Sequence, residues 1–191
     1  MVNREQVLDE LRQILDPEMP VNLVDLGLIE RIEIAAAHSS TEPIPSTSGE
    51  RVAIDVLPTF VGCPALDMIR GLIQQRVGGL AGVGEVQVRF LHDPPWSTDR
   101  ISLAGREALR QHGVTTPAVG AASGSQRLVP LTVPTSSAAR PPGMNDASGP
   151  ADCPFCGATE TKLESRFGPT RCRMIYYCPA CRNSFEHLKP I

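Results

Sequence analysis

The chain has 191 residues, enough for one ordinary domain and a small module but not for two full domains. Hydrophobic residues make up 41% and aromatic residues only 4%, so a core has to be aliphatic. The net charge of −3 gives no general argument for polyanion or membrane-surface binding, and no run approaches the roughly 18 apolar residues of a membrane span.

In chain order, residues 3–15 place Val7, Leu8, Leu11, Ile14 and Leu15 at helical spacing, and Asp16-Pro17 is read as the stop. The same segment carries Glu5, Asp9 and Glu10 and has no apolar h-region, so it does not read as a signal peptide, and a cytoplasmic protein is expected. Residues 23–34 alternate and predict a strand. The polar, proline-containing stretch 37–50 predicts a long hairpin loop, and 51–57 its partner strand. Residues 64–77 form a helical face, with Pro64 in the first turn. A third strand is expected over 85–91 and a short helix near 99–112. The fold class expected for residues 1–118 is α+β, a small three-stranded sheet packed by helices.

Residues 119–150 are rich in Ala, Ser, Gly and Pro and read as a flexible linker, with an extra strand at LVPLTV as the alternative. Residues 151–191 would then be a small separate module. Charge divides along the same lines: −6 over 1–118, +1 over the linker and +2 over the remainder.

That module holds two CxxC knuckles, CPFC at 153–156 and CPAC at 178–181, with 21 residues between them. Each can present two thiolates, and a hairpin between them would bring all four to one ion. Cys153, Cys156, Cys178 and Cys181 are therefore read as the closed four-cysteine site of a zinc ribbon holding structural Zn²⁺. A rubredoxin-type iron centre and a redox dithiol pair are the alternatives. Four ligands leave no open position for catalysis by the metal, and so small a module would draw its folding energy from the ion. Cys172 lies outside both knuckles and reads as a small buried strand residue. Arg166, Arg171 and Arg173 near Tyr176 and Tyr177 could face nucleic acid or protein. With an acidic first domain, a protein contact is the preferred reading, and nucleic acid is not expected as a partner.

Cys63 stands apart, where an apolar strand ends and a helix begins. Placed near an N-cap, its thiol is expected to have a lowered pKa. The competing reading, a small apolar cap on the sheet, carries equal weight on spacing alone. No His is adjacent: His38 falls in the hairpin loop, and His92 and His112 are assigned to the far end of the domain. A Cys–His nucleophile is therefore poorly supported.

Three separated blocks carry a resemblance: DPEMPVNLVDLGLIERIEI (16–34), VLPTFVGCPALDMI (56–69) and VGEVQVRFLHDPPW (83–96). Together they resemble the metal–sulfur cluster biosynthesis family, the SufT-like iron–sulfur assembly proteins, over about 100 residues. The family's reactive cysteine falls on Cys63. By the same resemblance Cys63 contacts iron or a cluster, and Asp16, Glu18, Asp25 and Thr59 shape its pocket. The block RFGPTRCRMIYYCPACRNSFEHLK (166–189) narrows the resemblance to accessory proteins of aerobic phenylacetate breakdown, and it places Cys172 in a family motif.

The resemblance implies partners: the oxygenase and reductase components of the phenylacetyl-CoA ring-1,2-epoxidase. It implies a maturation role involving transient iron or an iron–sulfur cluster, or else a non-catalytic structural or regulatory subunit. The chain carries no paired Glu-x-x-His set of a di-iron bundle and no GxGxxG loop, so it is not expected to be the catalyst. One Cys63 per chain is too few for a cluster that usually takes four ligands, so a homodimer or a bridging partner is expected.

Overall fold

The computed structural model describes residues 1–36, 49–120 and 151–190. The alternative strand at LVPLTV, and most of the 37–50 loop and the 119–150 linker, lie outside the described residues.

Helix α1 (Arg4–Arg12) is opened by Asn3. The Asn3 side chain accepts from the Gln6 N–H at 2.9 Å, and the Gln6 side chain accepts from the Asn3 N–H at 3.0 Å. This reciprocal box satisfies two N–H groups that have no partner within the helix. Val7, Leu8 and Leu11 bury one face. The helix stops sooner than expected, because Leu15 bridges Asn22 and the Asp16 N–H donates to the Val21 carbonyl at 2.9 Å, pulling 15–22 into a turn. Residues 23–27 form a second turn in place of the expected strand start. Gly27 takes φ +71° there, and a Cβ would collide with the Arg100 carbonyl oxygen, so only glycine fits.

The first sheet has the order β1 (Ile29–Ala35), β2 (Glu50–Val56), β3 (Val83–Phe90). β1 and β2 are antiparallel, as a hairpin requires. β2 and β3 are parallel, linked through α2 (Leu66–Gly78), whose Ile69, Ile73 and Val77 cover the sheet. The α+β expectation of a three-stranded sheet packed by helices therefore holds. A 3-10 turn (Thr98–Arg100) and α3 (Leu103–Gln111) follow.

A second sheet has the order β4-β7-β6-β5 and is larger than the hairpin expected between the knuckles. β5 (Lys162–Ser165), β6 (Arg173–Cys178) and β7 (Asn183–Leu188) form the antiparallel ribbon. β4 (Val114–Thr115), directly after α3, adds to its edge parallel to β7. Cys172 and Leu188 of the ribbon belong to the same buried cluster as Leu11, Ile54 and Ile73. A smaller cluster around Met174, Tyr176 and Phe185 lies beside the knuckles.

Candidate functional site

The two knuckles have matching backbone turns. The Gly157 N–H donates to the Cys153 carbonyl at 2.9 Å, and the Arg182 N–H to the Cys178 carbonyl at 2.8 Å. Gly157 and Arg182, each four residues after the first cysteine of its knuckle, both take positive φ, +74° and +61°. These turns aim the sulfurs at a common point. Cys153 Sγ lies 3.6 Å from Cys181 Sγ, Cys156 Sγ lies 3.6 Å from Cys178 Sγ, and all four sulfurs are within 4.8 Å of one another. A tetrahedral ion with metal–sulfur bonds of about 2.3 Å needs sulfurs about 3.8 Å apart, so the four thiols are gathered closely enough to hold one metal ion. Cys178 and Cys153 are buried and Cys156 is exposed at the rim.

Cys63 is half-buried in the turn between β2 and α2. The N-cap of α2 is Ala65, so Pro64 precedes the helix and Cys63 sits one residue further out. The expected lowering of its pKa is corrected accordingly. Burial pushes the Cys63 thiol up, the Ala65 backbone pulls against it, and the charges of Glu18, Asp16 and Cys172 push it further up.

The charges of Glu18 and Asp16 thus both act on Cys63. Asp16 Oδ1 accepts from the N–H groups of Glu18 and Met19 at 2.9 and 3.0 Å, which fixes the turn that carries both acids. Burial holds the Asp16 carboxyl above its ordinary range. Thr59 is buried and lines a cavity of about 210 Å³ with Pro58, Phe60, Val61, His92 and Trp96. His92 therefore lies beside the Cys63 loop and not at the far end of the domain. Asp25 has a different role. Its carboxylate accepts from Asn22 Nδ2 and Ser102 Oγ, both at 2.6 Å, and its carbonyl accepts from the Ser102 N–H at 2.9 Å, tying the start of α3 to the 22–27 turn.

Sequence reasoning missed that the ribbon reaches this pocket. Arg171 stacks over the Phe60 ring at 5.9 Å, and the field of Arg173 acts on Asp16. Cys172 between them is buried, its Sγ 3.1 Å from Thr170 Oγ1. The FGPTRC motif was the available signal. The basic and aromatic surface considered for nucleic acid is otherwise engaged, since Arg173 pairs with Glu186 and Tyr176 is buried.

Among the described residues, no helix is long and apolar enough to cross a membrane. Two family profiles match the chain: "iron-sulfur cluster assembly protein" over residues 4–88 and "PaaD zinc beta ribbon domain" over 137–189. A protein of Escherichia coli K12, named as a putative subunit of 1,2-phenylacetyl-CoA epoxidase, is 32% identical over 182 residues, covering 95% of this chain and 89% of that protein. An "Fe-S protein maturation auxiliary factor" of Porphyromonas gingivalis is 31% identical over 98 residues, 51% of this chain and 82% of that protein. A solved conserved hypothetical protein from Thermotoga maritima is 29% identical with a TM-score of 0.44, covering 56% of this chain and 92% of that one. The chain belongs to the PaaD family, with an iron–sulfur assembly domain followed by the PaaD zinc ribbon.

Proposed function

We propose that this protein is a cytoplasmic accessory factor of aerobic phenylacetate catabolism that assists iron or iron–sulfur maturation of the phenylacetyl-CoA ring-1,2-epoxidase. The observation that carries this reading is a half-exposed thiol, Cys63, in the field of the Asp16 and Glu18 carboxylates, in an assembly-type domain fused to a four-cysteine ribbon. The E. coli relative, named for that epoxidase, supplies the pathway.

In this reading Cys153, Cys156, Cys178 and Cys181 hold a structural Zn²⁺, which fixes the ribbon and releases thiol protons on binding. Iron is cargo. A raised thiol pKa keeps Cys63 protonated until a cation arrives, and the neighbouring carboxylates favour that cation's approach. The oxygenase and reductase components are the clients, and a second copy of the chain or the client completes the ligand set.

The test is to express the epoxidase with and without this protein and measure iron per chain in the purified oxygenase and reductase. Maturation predicts iron-poor client when the protein is missing. A second reading, a structural or regulatory subunit without metal transfer, is favoured by the raised pKa of Cys63, which keeps the thiol in its unreactive form. It predicts fully loaded client and stable co-purification at fixed stoichiometry.

A further inference from the structure

Phe167 is 81% exposed, yet the ribbon turn that carries it is fixed. The Phe167 N–H donates to Ser165 Oγ at 3.0 Å, and that hydroxyl donates to the Phe167 carbonyl at 2.9 Å. The Gly168 N–H donates to the Arg173 carbonyl at 3.0 Å, and a Cβ on Gly168 would meet the same carbonyl oxygen at 2.9 Å. A large ring held in place at the surface loses little freedom when a partner covers it. The group that lies over the ring is a cation, with Lys189 Nζ 5.7 Å from its centroid.

A chain of contacts joins this ring to the Cys63 turn. Lys189 Nζ donates to the Arg171 carbonyl at 2.6 Å, and the Arg171 guanidinium lies 5.9 Å from the Phe60 ring centroid. The Phe60 carbonyl accepts from the Cys63 N–H at 3.2 Å, and Phe60 lines the cavity of about 210 Å³ with Val61, His92 and Trp96. Val61, two residues from Cys63, is 70% exposed. Among the described residues, neither Arg171 nor Lys189 has a carboxylate within ion-pair distance, whereas Arg31, Arg89, Arg100 and Arg173 all do. Two uncompensated cations, each over an aromatic ring, therefore stand on the ribbon side of Cys63, beside an assembly domain that carries −6.

We infer that the ribbon turn 165–171 and the 58–63 turn form one docking surface for an acidic segment of a partner protein, whose carboxylates pair with Arg171 and Lys189 while an apolar side chain enters the cavity beside Phe60. The cations set the sign of the partner. The fixed Phe167 ring and the cavity, with room for one large apolar side chain, supply the anchors that carry most of an interface's binding energy. Asp16 and Glu18, whose charges act on Cys63 from the assembly domain, repel the same segment and keep it on the ribbon side. Nucleic acid has the same sign, but two cations on a chain of net charge −3 are few for a phosphate backbone, and Tyr176 is buried away from stacking. The inference rests on the proposed accessory role only in requiring a protein partner, and it holds with or without metal transfer.

The experiment uses the full zinc-loaded chain, ¹⁵N-labelled, titrated at low salt with the peptide acetyl-Glu-Glu-Leu-Glu-Glu-amide and followed by amide chemical shifts. Shifts are expected at Val61, Phe167, Arg171 and Lys189, and binding should weaken at high salt. Arg171→Gln and Lys189→Gln should each weaken the peptide by about threefold and Phe167→Ala by about fivefold, while Arg4→Gln, on α1, leaves it unchanged. Zinc content and amide dispersion check that the variants fold. Two further peptides need no variant: Ala for the Leu, or Gln for every Glu, should each weaken binding. No binding, shifts confined to other residues, or equal binding of the Gln peptide would overturn the surface. A deoxythymidine oligonucleotide that moves the same amides at lower concentration than the peptide would overturn it in favour of nucleic acid. The iron content of the client decides the maturation reading separately: peptide docking with fully loaded client keeps the surface and removes metal transfer, and iron-poor client without docking does the reverse.

Discussion

The Thr115 hydroxyl lies 2.8 Å from His187 Nδ1 and 3.2 Å from the Glu186 carbonyl oxygen. One residue is at the end of the assembly domain and the other is in the last strand of the ribbon. This contact locks the parallel β4–β7 pair, and the Glu186 N–H adds a bond to the Gly113 carbonyl at 3.0 Å. The ribbon is thereby held in register against the face that carries Cys172 and Leu188 into the core.

His187 gives this lock a pH dependence. Burial pushes its pKa down to about 4 from an ordinary 6.5. The unfolded chain then binds the proton more readily than the folded one, so stability is full above about pH 6.5 and is lost as pH falls from there towards 4. The total effect is roughly 3 kcal/mol. His187→Gln should flatten the urea-stability profile across that window, and a profile as steep as the wild type's would show that His187 is not the group responsible.

Asp55 should be the most costly charge to remove from the open face of the first sheet. It is buried beneath Arg31 and Arg89, whose nitrogens approach it to 2.9 and 2.6 Å. Burial alone would raise its pKa, but the two guanidiniums outweigh burial and lower it. Its stabilisation is present above the ordinary carboxylate value and is lost as pH falls through the depressed one. Asp55→Ala should cost about 1–3 kcal/mol in denaturant unfolding, because two exposed arginines regain water while the cross-strand tie is lost.

Cys63 should alkylate slowly at neutral pH, since its thiol is held up by burial and by Glu18 and Asp16. Removing a negative neighbour lowers that value. Glu18→Gln should therefore raise the rate of iodoacetamide modification at Cys63, followed by peptide mass spectrometry near neutral pH, by about twofold or more. An unchanged rate would place Glu18 outside the pocket's electrostatics.

Chelation should release one zinc per chain and unfold the ribbon first. The ribbon's own cluster is small, whereas Val7, Leu11, Ile54 and Ile73 lie in an aliphatic core built mainly by the assembly domain, to which the ribbon adds Cys172 and Leu188. One thermal transition of the whole protein is expected before metal removal, and one of smaller enthalpy, from the assembly domain alone, after it. Cys178→Ser, at a fully buried ligand, should mimic the chelated protein without chelator.

Much of this was legible in the sequence. The α1 face at Val7 and Leu11, the β1–β2 hairpin and the knuckle spacing follow from periodicity and from metal geometry, which act locally. What escaped was non-local. The two residues of β4 are too few to carry an alternating pattern, and they are a strand only because β7 lies beside them. Pro64 suggested a helix start at Cys63, but the Cys63 N–H bonds back to the Phe60 carbonyl and the helix opens after Ala65. Asp25 read as a pocket residue because its motif did, yet its partners Asn22 and Ser102 place it in a tie between the 22–27 turn and α3. The stacking of Arg171 over Phe60 joins distant parts of the chain, beyond the reach of any local pattern.

The most direct measurement is iron per chain in the epoxidase oxygenase and reductase, purified from cells that express them with either the wild-type protein or Cys63→Ser at equal levels. The account predicts iron-poor client and a correspondingly low epoxidation rate with the variant, while its ribbon keeps its zinc. Fully loaded client with the variant would contradict it and leave Cys63 a packing residue in a docking subunit.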